Sequence, residues 1–216
     1  AAVTLIQNKD NTLPLKLTSD SKVLMMVPYD NEKAQMILGW NRALEAGLIP
    51  DGAEVQVVRF NAETTPDTYR ELVEWADVLI FNSEISKADR LNGGRWESAY
   101  LLDTIRQAEQ LGKITVVQSV DKPYDVQSYP DADAVLAVYG CKGSSLDPTE
   151  ALVGGVTASE NACGPNIVAG VEAILGVANP AGSLPVAVPF YENGNFSSQI
   201  CYPRGYGLHY RTDETT

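Results

Sequence analysis

Short apolar runs alternate with amphipathic helical stretches along this chain, and this alternation constrains the fold more than any other feature. The runs Lys22–Val27, Asp77–Phe81 and Ile114–Gln118 consist largely of Val, Leu, Ile and Met. Runs of this kind are typical of strands that are buried on both faces of a sheet. Three further strands are predicted, at Glu54–Phe60, Ala134–Tyr139 and Leu184–Val188.

Helical periodicity fills the segments between these strands. Apolar residues recur at helical spacing from Ala34 to Leu48 and from Tyr69 to Ala76, where Thr65-Pro66 resembles a helix start. Two more helices are predicted at Trp96–Leu111 and Pro165–Leu175. Strand–helix alternation predicts an α/β fold, a doubly wound and mostly parallel sheet of five to six strands with helices on both faces, in a flavodoxin-like sandwich. Because no repeat or linker divides the sequence, residues 1–216 are predicted to form one domain.

The charge balance excludes several classes of partner. The 216 residues carry a net charge of −12, so the surface would repel both nucleic acid and anionic lipid. Neutral ligands such as sugars, and protein partners, remain open. No apolar run is long enough for a membrane span and no secretory leader is recognisable, so no membrane insertion is predicted and the compartment is undetermined.

No cofactor or metal is predicted. The Gly-rich stretch that begins at Gly140 lacks the spacing of a phosphate-binding loop. The three cysteines, Cys141, Cys163 and Cys201, form neither a disulfide framework nor a CxxC zinc pair. Cys141 follows a predicted strand, and His209 is the one histidine, so a thiol enzyme that uses both residues is one alternative.

The polar loop that follows the third strand is the strongest candidate for a site. In doubly wound sheets, ligands bind at the carboxyl ends of the strands, where this sequence offers Asp30, Asn61, Glu84, Ser119, Asp121 and the turn Tyr139-Gly140-Cys141. Within the loop Asn82–Arg95, Glu84 could act as a general acid, and Asp89 and Arg90 could hold sugar hydroxyls. The alternative is a solvated loop whose charges pair with one another.

Three ordered motifs carry a resemblance to a known family. They are VTLIQNKDNTLPL at Val3–Leu15, GVEAILGVANPAGSLPVAVP at Gly170–Pro189 and YPRGYGLHY at Tyr202–Tyr210. Together they resemble the C-terminal α/β sandwich domain of glycoside hydrolase family 3. The resemblance implies retaining β-glycosidase activity, in which an N-terminal (β/α)₈ barrel, absent from this chain, carries the Asp nucleophile.

The resemblance leaves the source of the catalytic acid open. In the β-glucosidase branch, a Glu of this second domain is the acid/base, and the segment from Glu84 to Arg90 half matches that motif. In the β-N-acetylhexosaminidase branch, a His on the barrel takes the role and the second domain is largely structural. The long loop Gly140–Gly164 and the incomplete acid motif, which lacks the Gly and has a longer spacing, favour this branch. In either branch, the implied partners are the barrel of the same protein and a carbohydrate substrate, and the chain alone would be inactive.

The start Ala1-Ala2-Val3, which has no initiating Met, suggests a cut inside a longer gene. A free-standing flavodoxin-like ligand-binding or interaction module is the alternative from another functional class.

Overall fold

The structure is a computed structural model that describes residues 3–140 and 165–211. In the described residues, six strands form one sheet in the order β1-β6-β5-β4-β2-β3. The central pairs are parallel, and β1 joins the edge antiparallel to β6. The strands are β1 (Thr4–Asn8), β2 (Lys22–Val27), β3 (Glu54–Arg59), β4 (Val78–Ser83), β5 (Ile114–Ser119) and β6 (Ala134–Ala137). A separate antiparallel hairpin consists of β7 (Val188–Glu192) and β8 (Asn195–Tyr202).

Helices cover both faces of the sheet. Helices α1 (Lys33–Glu45) and α4 (Pro165–Ile174) pack on one face through a core that includes Met25 and Ile80. Helices α2 (Arg70–Trp75) and α3 (Trp96–Gln110) pack on the other face, against Met26, Phe81 and their neighbours. Alternate residues of the central strands therefore enter opposite cores, which explains the continuous apolar runs of β2 and of the first part of β4.

The predicted fold class is confirmed: the sheet is mostly parallel and is sandwiched between helices. The prediction for Lys22–Val27 matches β2 at both ends, and α3 begins at the predicted residue. The edge strand β1 was not predicted as a strand.

Three predicted boundaries are wrong for local reasons. The second helix begins at Arg70 rather than at Pro66, because Thr65 and Thr68 close a separate turn in which the Thr65 amide donates to Thr68 Oγ1 at 3.0 Å. Strand β6 ends at Ala137, before Tyr139 adopts a positive φ of 62°. The predicted strand Leu184–Val188 is instead an irregular segment, and β7 begins at Val188.

None of the helices in residues 3–140 and 165–211 has both the length and the apolar character needed to cross a bilayer.

Candidate carboxyl site at the C-terminal edge of the sheet

Strands β4 and β5 end in matching polar pairs, Asn82-Ser83 and Gln118-Ser119. The parallel register places Asn82 opposite Gln118 and Ser83 opposite Ser119, and all four side chains are buried. Because side chains alternate along a strand, the two amides point to the face of α1 and α4, and the two serines point to the other face. The sheet edge therefore carries one polar cluster on each face.

The cluster on the α1/α4 face holds the predicted acid, Glu84, which directly follows β4 and is partly buried. Its carboxyl group is hydrogen-bonded to that of Glu32, which lies in the short turn before α1 and is only 4% exposed. Burial raises the pKa of Glu84, and the charge of Asp121 at the end of β5 raises it further. Burial also raises the pKa of Glu32 well above its ordinary value, and Glu84 adds to that effect.

The cluster on the opposite face is centred on Asp125, which is fully buried. Ser83 Oγ donates to Asp125 Oδ2 at 2.5 Å, and Ser119 Oγ donates to Oδ1 at 2.5 Å. The hydroxyl of Tyr129 lies 2.6 Å from Ser83 Oγ. Burial raises the pKa of Asp125 to about 7, although both serine hydroxyls lower it. Asp125 is thus hydrogen-bonded to the ends of both β4 and β5, close in sequence to Glu84 and Asp121.

The structure separates the two predicted binding residues, Asp89 and Arg90. Arg90 Nη1 pairs with Glu97 Oε1 at 2.9 Å, and Glu97 is only 3% exposed. Asp89 is exposed and pairs with Arg95 across 3.4 Å. Asp89 therefore pairs within the loop, as the alternative interpretation predicted, whereas Arg90 pairs with Glu97 of the following helix. Arg90 and Glu97 both act electrostatically on Tyr29, as does Glu84, so Arg90 borders the region of the carboxyl pair.

The other sequence candidates are distributed as follows. His209 is exposed in the C-terminal segment and contacts the Pro180 carbonyl oxygen through Nδ1 at 3.2 Å. Its proposed thiol partner, Cys141, lies outside the described residues, as does most of the loop Gly140–Gly164. Asp30 is exposed and pairs with Lys33 and Arg59. Among the described residues, no group of three or more His, Cys, Asp and Glu side chains is arranged to hold a metal ion.

Sequence reasoning missed Glu32 and Asp125, the two most buried carboxyl groups of these clusters. Neither lies at a strand end: Glu32 is in the turn Asp30–Glu32, and Asp125 is in the short 3₁₀ helix Pro123–Ser128. The repeated amide–serine ending of β4 and β5 was the available signal. Polar residues at such positions require buried partners, and for Asn82, Ser83 and Ser119 those partners include carboxyl groups.

Carboxyl groups with raised pKa values remain protonated closer to neutral pH than exposed ones, which is the property that a general acid needs. Glu84 combines this property with partial exposure, so a reacting group could reach it. Glu32 and Asp125 are too deeply buried for such contact.

Searches of family models and of curated proteins gave no match. Solved structures did match. A fungal multi-domain GH3 β-N-acetylglucosaminidase, which also has a GCN5-related glucosamine N-acetyltransferase region, aligns with 93% of this chain at 21% identity and a TM-score of 0.56. A β-glucosidase from Listeria innocua aligns with 96% of this chain at 18% identity and a TM-score of 0.56.

This chain has the fold of a region found in the fungal GH3 β-N-acetylglucosaminidase and in the Listeria β-glucosidase. It spans 19% of the fungal chain and 32% of the Listeria chain. The predicted resemblance is thus confirmed at the level of fold. The identities are low, so the resemblance does not by itself assign an activity to Glu84 or to any other residue.

Proposed function

We propose that this chain is the second domain of a retaining β-glycosidase of glycoside hydrolase family 3, that it packs on a (β/α)₈ barrel of the same protein, and that it supplies Glu84 as the acid/base. The barrel would supply the Asp nucleophile. Residues 1–216 would act as one domain, inactive without the barrel. The substrates would be terminal β-linked sugars, glucose or N-acetylglucosamine, in line with the activities named for the two similar proteins.

The observation that carries this proposal is the environment of Glu84. Retaining hydrolysis needs one carboxyl group that donates a proton to the leaving oxygen and then removes one from water, about 5–5.5 Å from the nucleophile. Glu84 lies at the sheet edge where α/β folds place their ligands, and its pKa is raised by burial and by Asp121. A raised pKa keeps the acid form populated at the pH where it must donate.

Asp89 and Arg90 are proposed to contact sugar hydroxyls. The exposed Asp89 carboxylate can accept hydrogen bonds from a sugar. Arg90 pairs with the buried Glu97 and keeps 23% of its side chain exposed, so a sugar could approach it. This arrangement suits a neutral polyhydroxylated ligand better than a second anion.

The test is a Glu84→Gln substitution in the natural protein that contains this chain. Loss of a general acid/base is expected to lower kcat/KM about 10²–10⁴-fold. The loss should be largest for β-glycosides with a poor leaving group and much smaller for a dinitrophenyl glycoside, whose leaving group needs little protonation. Glu74→Gln, at an exposed position of α2, is the matched control and should leave both rates unchanged.

An equal loss for both kinds of leaving group would contradict an acid role for Glu84, because the residue would then act on structure rather than on proton transfer. Full activity of the Glu84→Gln protein would assign the acid to the barrel, as in the hexosaminidase branch.

A further inference from the structure

Glu32 is a buried carboxyl group that has no role in the proposed reaction. Its Oε1 accepts a hydrogen bond from Asn82 Nδ2 at 3.0 Å, whereas its buried Oε2 receives no hydrogen bond from a donor group. An ionised carboxylate buried in this way would be strongly destabilised.

The orientation of Asn82 is fixed from the neighbouring strand. Gln118 Nε2 donates to Asn82 Oδ1 at 2.7 Å, so the Asn82 amide nitrogen must face Glu32. Gln118 is itself confined by α4, because a Cβ atom at Gly170 would lie 1.9 Å from Gln118 Oε1. That oxygen is also buried without a partner. Two strands and a helix thus hold Glu32 at one position.

The Glu32 carboxyl group also interacts with the Tyr29 backbone, which favours its charged form, and it forms a hydrogen bond with Glu84. Two ionised carboxylates are both acceptors, so this bond exists only when one of the two groups carries a proton. Glu32 is only 4% exposed whereas Glu84 is partly exposed, so burial disfavours a charge on Glu32 more strongly than on Glu84. The proton therefore belongs to Glu32, which donates to Glu84.

Other charges near the pair reinforce this assignment. Asp121, which follows β5, adds negative charge beside Glu84 and raises its pKa. The pKa of Tyr29, which follows β2, is raised by the charges of Glu84, Glu97 and Glu32. Arg90 is the cation that acts on the same tyrosine, and Glu97 already neutralises it. A second negative charge on Glu32 would thus be added to an environment that is already acidic.

We propose that Glu32 is a positioning residue for Glu84: it keeps its proton throughout the reaction and donates a hydrogen bond to the Glu84 carboxylate. The catalytic consequence rests on the proposed function. When Glu84 passes its proton to the leaving oxygen, the Glu32 O–H stabilises and orients the carboxylate that forms. That carboxylate then removes a proton from the attacking water, and Glu84 returns to the acid form while Glu32 is unchanged.

The test is a titration of the ¹³C-labelled carboxyl groups of the protein by NMR, which requires no activity. Glu32→Gln identifies the Glu32 resonance by its disappearance and replaces the protonated acid with a neutral donor of the same shape. Glu32→Leu removes the donor. Asp30→Asn is the control, since it removes an exposed charge from the same turn.

The proposal predicts that Glu32 stays protonated across the pH range in which Glu84 titrates. The Glu84 midpoint should stay in place in Glu32→Gln and in Asp30→Asn. It should rise by about one pH unit or more in Glu32→Leu, which loses a hydrogen bond to the charged form. If Glu32→Leu does not fold, the resonance of Glu32 in the unchanged protein still decides its protonation state.

A Glu84 midpoint that falls in Glu32→Gln would overturn the proposal, because it would mean that Glu32 is charged. A midpoint that stays in place in all three variants would overturn it as well, since the two groups would then not interact. If the natural protein is an active glycosidase, the alkaline limb of its kcat/KM profile should shift in parallel with the Glu84 midpoint. Absence of activity would reject the proposed function and leave the NMR result on Glu32 intact.

Discussion

At the residue scale, the two faces of the sheet use buried carboxyl groups in different ways. Glu32 and Glu84 face each other and can avoid repulsion only by retaining a proton. Asp125 faces two serine hydroxyls, each at 2.5 Å, which can satisfy a charged carboxylate. Burial nevertheless dominates and raises the pKa of Asp125 to about 7.

Asp125 should make stability depend on pH. Its pKa is raised from 3.8 to about 7, so the folded protein holds a proton that the unfolded chain releases in that interval. This contribution is fully present below about pH 4, falls as pH rises and is lost above about pH 7. The asparagine of Asp125→Asn cannot release a proton. The unfolding free energy of this variant should therefore decrease from pH 5 to pH 8 by about 2–3 kcal/mol less than that of the unchanged protein.

Urea unfolding at both pH values measures this difference, and the exposed Asp131→Asn serves as the control. Equal pH dependence in the Asp125→Asn protein and in the unchanged protein would show that Asp125 is charged at both pH values.

Glu32 and Asp125 also show why sequence reasoning predicts a site only in part. Glu84 was found because it directly follows a recognisable strand, and strand ends are where ligands bind in this fold class. Glu32 and Asp125 reach the same edge of the sheet from short turns. Hydrophobic periodicity predicts helices and strands, but it does not predict where such turns place their side chains. Their partners could be anticipated only from the polar endings of β4 and β5, which break two otherwise apolar strands.

At the element scale, long periodic segments were predictable and edges were not. Helix α3 and strand β2 follow from local patterns, because each buries a regular set of apolar residues. Strand β1 joins the sheet through pairing with β6, about 130 residues away in sequence, with Leu5 opposite Leu136. No local pattern specifies such a contact.

The packing of α1 on α4 depends on Gly39. A Cβ atom there would lie 2.4 Å from Val171 Cβ, so the two helices approach closely at this point. Gly39→Ala gains about 1 kcal/mol of helix propensity but overpacks the contact, and we expect a net destabilisation of about 1–2 kcal/mol. Denaturant unfolding measures the change.

A double-mutant cycle separates this packing effect from backbone effects. Val171→Ala should cost less stability in the Gly39→Ala background than in the unchanged protein, because it removes the Cγ1 atom that would lie 2.6 Å from the new methyl group. Gly47→Ala is the control: its φ of 73° strains an alanine, but nothing lies within 4 Å. Full additivity of Gly39→Ala with Val171→Ala would show that the Val171 Cγ1 atom does not contribute to the overpacking.

At the scale of the whole molecule, the three motifs that carry the family resemblance meet around the edge strand β1. Leu208 pairs with Leu5, the Gly182 amide donates to the Val3 carbonyl oxygen at 2.9 Å, and the Tyr206 hydroxyl donates to the Ile6 carbonyl oxygen at 3.0 Å. These contacts link both ends of the described chain to the sheet. They contain none of the carboxyl groups of the candidate site.

The motifs therefore report the fold, and the proposed function rests on a separate feature, the carboxyl pair. The central claim is that this chain contributes one carboxyl group of a site whose nucleophile lies on another domain. A domain of that kind cannot complete retaining hydrolysis alone, because both carboxyl groups must flank the same bond.

The most direct test of this claim is the hydrolysis of chromogenic β-glucoside and β-N-acetylglucosaminide, measured for this chain alone and for the natural protein that contains it. The account predicts that the natural protein cleaves at least one substrate and that the isolated, folded chain cleaves neither. Turnover by the isolated chain would contradict the division of the site between two domains. Inactivity of both proteins would contradict the assignment as a glycosidase and favour a binding module.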